Sequence, residues 1–115
     1  MNKSFEFKND RYRKNRGGYS RWLLLSCEKC KNKLLIYQKD GPGIIKRLYY
    51  DRIGFLAGAT HEKNLICNKC KSILGIKTVF QKENRPAYRL FVGAVTKNII
   101  KGPELKKMKL NHKTA

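Results

Sequence analysis

Four cysteines carry the chemistry this chain can be expected to do. They stand in two short stretches that echo each other, CEKCKN from Cys27 and CNKCKS from Cys67. Two residues between cysteines let one tight turn aim both sulfurs at the same ion. Two such turns complete the four-ligand tetrahedron that Zn²⁺ favours in structural sites. The same ligand set serves an iron–sulfur centre, and a lone CxxC serves redox exchange where a βαβ unit presents it. Free thiols are the remaining alternative. The doubled motif favours one structural Zn²⁺ held by Cys27, Cys30, Cys67 and Cys70. Four thiolates leave no open coordination position, so the ion should not be catalytic. His61, six residues before Cys67, could stand in for a cysteine but needs no role as a loop residue, and His112 has less claim. Four thiolates around one Zn²⁺ carry a double negative charge, which Lys29, Lys31, Lys69 and Lys71 are placed to offset.

The elements that must position these thiols follow from the echo. Aligning Cys27–Ile36 with Cys67–Ile76 matches both cysteines, two lysines, a leucine and an isoleucine. Each copy reads as strand, thiol turn, strand, and two such hairpins can face one another across one ion. The 36 residues between Cys30 and Cys67 exceed the spacing of the simplest four-cysteine sites, so this insert must hold strands of its own. Residues 23–96 supply them: LLLSC, KLLIYQK, NLIC, ILGIKTVFQ and AYRLFVGAV are short, rich in Ile, Leu, Val, Tyr and Phe, and separated by turn formers. The stretch IIKRLYYDRIGFL is ambiguous, because Ile45, Leu48, Tyr49 and Arg52 also fit one helical face. The expected fold is a mainly β, small, zinc-stabilised antiparallel domain.

Charge sets the class of partner. In 115 residues there are 27 Lys and Arg against 8 Asp and Glu, a net charge of +19. Self-repulsion on this scale opposes compactness and is relieved on a polyanion, nucleic acid first and an anionic membrane surface second. No stretch has the apolar length of a leader or a spanning helix, so no membrane association is expected. In the intracellular location this implies, cysteines hold metal more often than they form disulfides. Composition divides the chain into a basic arm at 1–22, the β domain at 23–96 and a basic tail at 97–115, in which ELKKMKLNHKTA could form a short helix. The arm should be weakly structured alone.

Nucleic acid is gripped by cations on phosphate and by rings or guanidinium planes on bases. The arm segment RYRKNRGGYSRW interleaves both, in Arg11, Tyr12, Arg13, Lys14, Arg16, Tyr19 and Arg21. Lys46 and Arg47 follow the DGPG turn, which lacks the Gly-Lys-Ser/Thr ending of a nucleotide-binding P-loop. Arg85 and Arg89 flank Pro86, with Arg89 on the solvent side of a strand, and Lys106, Lys107 and Lys109 lie in the tail. A solvated tail and plain turns would explain the same residues without a partner. Nothing suggests an enzyme: there is no Ser-His-Asp set and no carboxylate pair, and the eight acidic residues are scattered singly.

At its two thiol turns the chain resembles the zinc-ribbon superfamily, which includes small basic ribosomal proteins and nucleic-acid modules of transcription. It also resembles the β-tent group typified by the Yippee family, where CxxC hairpins hold zinc between β-sheets. In both groups glycine often follows the second cysteine, where Lys31 and Lys71 stand here. The resemblance and the charge together imply a non-enzymatic RNA-binding protein, ribosomal or ribosome-associated, whose basic arms enter rRNA. The alternatives are a DNA-binding zinc-ribbon transcription or repair factor, and a β-tent module holding a peptide or small ligand against Trp22, Tyr49 or Phe55.

Overall fold

In a computed structural model, which describes residues 6–56, 58–60 and 63–101, the chain is mainly β. One short helix, α1 (Arg11–Asn15), precedes nine strands: β1 (Ser20–Cys27), β2 (Lys33–Asp40), β3 (Arg47–Tyr49), β4 (Ile53–Leu56), β5 (Ala59–Thr60), β6 (Asn64–Cys67), β7 (Ile73–Phe80), β8 (Arg85–Leu90) and β9 (Val95–Ile99). They form two antiparallel sheets, one in the order β4-β2-β1-β9 and the other β3-β8-β7-β6-β5.

The sequence echo becomes a two-fold repeat of hydrogen bonding. In the first hairpin Leu25 faces Leu35, and the register then slips to set Ser26 opposite Lys33. In the second, Leu65 faces Gly75, and an equivalent slip sets Ile66 opposite Ile73. β4 lines the outer side of β2 as β8 lines that of β7. The closing strands are exchanged: β5 follows β4 in the chain but pairs with β6, and β9 follows β8 but pairs with β1.

Leu23, Leu25, Leu34, Leu48, Leu65, Leu74 and Tyr88 belong to one buried cluster that draws on both sheets. Successive side chains on a strand point to opposite faces, so β1 sends Leu23 and Leu25 into this core and Trp22 to the other side. There Trp22 and Ile36 pack with Ile100 under Phe7, whose ring stacks on Trp22 at 5.2 Å. The arm is thereby bound to the first sheet. The amide of Gln38 completes the attachment, accepting from the Lys8 backbone N–H at 2.8 Å and donating to its carbonyl at 3.0 Å.

Two expectations change. The divisions at 22/23 and 96/97 both cut strands, because β1 begins at Ser20 and β9 crosses from Val95 to Ile99. Pairing with a neighbouring strand, which composition does not register, recruits these residues from the supposed arms. IIKRLYYDRIGFL is neither one helix nor one strand: β3, a 3₁₀ turn at Tyr50–Arg52 and β4 divide it, and the turn buries Arg52. The tail helix suggested after Pro103, with Lys106, Lys107 and Lys109, lies outside the described residues, as do His61 and His112.

Candidate metal centre and the charged residues around it

Each sheet contributes one thiol turn. Cys27 and Cys67 end β1 and β6 and are fully buried, while Cys30 and Cys70 are half-buried. Each turn is closed by equivalent bonds: Lys31 N–H to the Cys27 carbonyl at 2.8 Å and Lys71 N–H to the Cys67 carbonyl at 2.9 Å. The Cys27 N–H donates to the Asn32 carbonyl and the Cys67 N–H to the Ser72 carbonyl. Even the flanking strands correspond, with Val95 opposite Cys27 and Ala59 opposite Cys67.

The ligand atoms of all four cysteines lie within 4.8 Å of one another. Across the two turns, Cys27 Sγ is 3.6 Å from Cys70 Sγ and Cys30 Sγ is 3.6 Å from Cys67 Sγ. A tetrahedron of Zn–S bonds of ~2.3 Å has edges of about 3.8 Å, whereas a disulfide requires about 2.05 Å. The sulfurs thus form a cluster of the size that closes on a single ion. Burial opposes ionisation of Cys67, but backbone N–H donors from Cys70 and Lys69, with the Asn32 amide, hold its thiol down at about 6. A nearby N–H at Asn32 favours a Cys30 thiolate, yet burial and the other three sulfurs push that thiol up to about 11. Neither CxxC opens a helix, as a redox pair in a βαβ unit would.

Lys31 and Lys71 take φ of +66° and +65°, the left-handed region that favours glycine. The residue after the second cysteine must bend this way for its N–H to reach back to the first. Lys31→Gly and Lys71→Gly are therefore each expected to raise unfolding free energy by about 1 kcal/mol, read as a higher denaturant midpoint at fixed metal content. A lower midpoint would show that the lysine side chains brace the turn more than the backbone strains it.

The acidic residues expected to be scattered are gathered. Arg52, 1% exposed at its side chain, donates to Asp40 at 2.8 Å and to Asp10 at 2.6 and 3.1 Å. Arg85 bonds Asp51 at 2.7 Å and Glu83 at 2.9 Å, and Arg16 bonds both oxygens of Glu83 at 3.0 and 3.1 Å. Arg52 also lies 3.8 Å from Asp51, so three arginines and four carboxylates form one network from the arm through both sheets. Asp10 also caps α1, accepting from the Arg13 N–H at 3.1 Å.

Several candidate contacts meet in a second arrangement beside this network. The Arg85 guanidinium lies between the Tyr49 ring at 3.8 Å and the Tyr12 ring at 4.1 Å, and Arg11 covers Tyr12 at 5.0 Å. Arg16 lies 5.5 Å from the Tyr49 centroid, Tyr49 meets Phe80 at 6.0 Å, and Arg47 covers Phe80 at 4.3 Å. Rings and guanidinium planes so alternate from Arg11 to Tyr49, where a second ring, Phe80 under Arg47, continues the series. Arg85, one of the expected phosphate contacts, is buried, and its two terminal nitrogens are bound to carboxylates. Arg13 is also engaged, donating to Ser20 at 2.9 Å and covering Phe7 at 5.4 Å. Lys14, Tyr19, Arg21, Lys46 and Arg89 are exposed. Asp10, Asp40, Asp51, Arg52, Glu83 and Phe80 went unrecognised as parts of these arrangements, and only the odd placement of Arg52 among apolar residues hinted at burial.

Comparison with protein-family models, curated proteins and solved structures finds no match to this chain. What fold and site define is a small mainly β domain of two antiparallel sheets with a four-cysteine cluster that could hold a metal ion. Among the described residues no helix is long and apolar enough to cross a membrane.

Proposed function

We propose that this is a non-enzymatic RNA-binding protein, ribosomal or ribosome-associated, whose two sheets are stapled by one structural Zn²⁺ on Cys27, Cys30, Cys67 and Cys70. The observation that carries the RNA reading is the partition of charge. Three of the 27 basic residues and four of the eight acidic ones enter the internal network, which leaves 24 against four for the rest of the chain. Outside the network, basic residues therefore outnumber acidic ones more heavily than in the chain as a whole. Phosphate is the counter-charge such an excess takes, at the cost of strong salt dependence.

RNA is favoured over DNA because the only helix among the described residues, α1, spans five residues, too few to carry a spaced base-reading set into a major groove. The alternative of a ligand held on Trp22 loses support because Trp22 is 7% exposed beneath Phe7. The Phe55 side chain lies outside the described residues. The metal contributes no chemistry in this reading beyond holding two thiol turns together. An intracellular location follows from an RNA partner.

Sedimentation of the tagged protein through a density gradient, at low and high salt and with or without RNase, tests the reading. Co-migration with a ribosomal particle that survives high salt and is lost on RNase treatment is the expected result. Migration as a free 13.4 kDa protein in every condition would overturn it.

A further inference from the structure

Beside the ring stack lies a cleft of about 470 Å³, within the roughly 300–1,000 Å³ of small-ligand sites. The arm closes one side through Asn15 and Arg16, the DGPG loop and its continuation form another through Pro42, Ile44 and Lys46, and Arg47, Tyr49 and Phe80 stand in its wall. We propose that this cleft binds a nucleoside phosphate. The base lies on the Arg47 end of the stack, and the phosphate is taken by Lys46, Arg47 and the Nε–H of Arg85.

Three observations converge on an anion with a flat ring. First, Arg85 is 3% exposed and lines the cleft, and its Nε–H has no acceptor although both terminal nitrogens are bonded. Buried donors are nearly always paired, and a phosphate oxygen supplies the missing acceptor. Second, Asp40 is the one acidic residue in the lining. Its Oδ1 already accepts from Ser20 at 2.7 Å and Gln38 at 2.9 Å, and its Oδ2 from Arg52 at 2.8 Å. The carboxylate that might repel an anion is neutralised in place, while Lys46 is exposed and Arg47 half-exposed. Lys39 Nζ donates to the carbonyls of Asp40, Gly41 and Pro42.

Third, the wall is already organised for stacking. Arg47 on Phe80 and Arg85 on Tyr49 are fixed planes, and bases stack on guanidinium groups as they do on rings. The loop that borders the cleft is shaped by Gly41, whose φ is +68° and whose missing side chain makes room for the Arg16 carbonyl. The arm can then reach across the loop and close the cleft.

A nucleotide within single-stranded RNA and a free nucleotide offer this chemistry equally. The site rests on the RNA reading only for its source. The test is an NMR titration of the intact metal-containing chain with inorganic phosphate, adenosine 5′-monophosphate and a short single-stranded oligoribonucleotide, following the Arg85 Nε–H signal and the amides of residues 43–49. A saturable shift of these signals is expected with the monophosphate, at concentrations about tenfold below those needed with phosphate. Lys46→Gln with Arg47→Gln should weaken it about tenfold, whereas Phe80→Leu should weaken the nucleotide and spare phosphate. If the oligonucleotide saturates these signals well below the monophosphate, the source is a strand; the reverse order makes it a free nucleotide. Unmoved signals with both nucleotide ligands, or a monophosphate no better than phosphate, overturn the site. Oligonucleotide binding with these signals unmoved would sink the cleft and leave the RNA reading intact. A response to the monophosphate in a chain that binds no RNA would do the opposite.

Discussion

Stripping the metal with a strong chelator, or replacing Cys67 by alanine, is expected to abolish the cooperative thermal unfolding of the whole β body. Each sheet supplies one thiol turn, so an ion held by all four cysteines would cross-link the sheets rather than decorate one hairpin. Structural zinc contributes an apparent ~10–16 kcal/mol to folding in small peptides, as large as the ~5–15 kcal/mol by which whole domains are stable. No rearrangement of a core built from short strands offsets a loss of that size. Circular dichroism melts, with zinc released and counted by a colorimetric chelator, provide the readout. One ion per chain and a lost transition are expected. A Cys67→Ala melt that matches the parent would remove the ion from the list of structural elements.

Arg52→Met should be the most damaging substitution away from the cysteines. Its side chain is 1% exposed and holds Asp40, 4% exposed, at 2.8 Å. Removing one member of a buried ion pair leaves the other charge without compensation, a loss of about 3–5 kcal/mol. Adding Asp40→Leu should restore much of it, because an apolar pair of similar volume is often neutral; denaturant melts of both variants decide this. Acid titration gives an independent reading. The Arg52 guanidinium holds the Asp10 carboxyl down at about 2, well below its ordinary value, against the opposing effect of burial. A depressed carboxylate stabilises fully above its unfolded value and progressively less as pH falls through the folded one. The stability gap between parent and Arg52→Met should therefore narrow from pH 4 down to about 2. A gap constant over that window would mean that Asp10 draws little from Arg52.

What the sequence disclosed and what it withheld divide along the range of the interaction. The thiol turns were legible because a CxxC turn is local, and the strands were legible because apolar and β-branched residues cluster between turn formers. The acidic residues looked solitary because their partners are remote in sequence: Asp10 meets Arg52, Asp51 meets Arg85, and Glu83 meets Arg16. Periodicity carries no trace of such pairs. IIKRLYYDRIGFL was undecidable for a related reason, since its central turn exists to lower Arg52 into contact with Asp40. The left-handed bend at Lys31 and Lys71 is not announced by residue type either, since lysine stands where glycine would signal it.

The exchange of β5 and β9 gives the molecule an approximate two-fold symmetry. Each half of the chain lends its last strand to the sheet of the other, and each contributes two of the four thiols. This is the connectivity of a strand-swapped pair joined head to tail, with the thiol cluster between its halves. The ion network, the arm and β3 all break the symmetry, and the cleft is lined by residues drawn from all three.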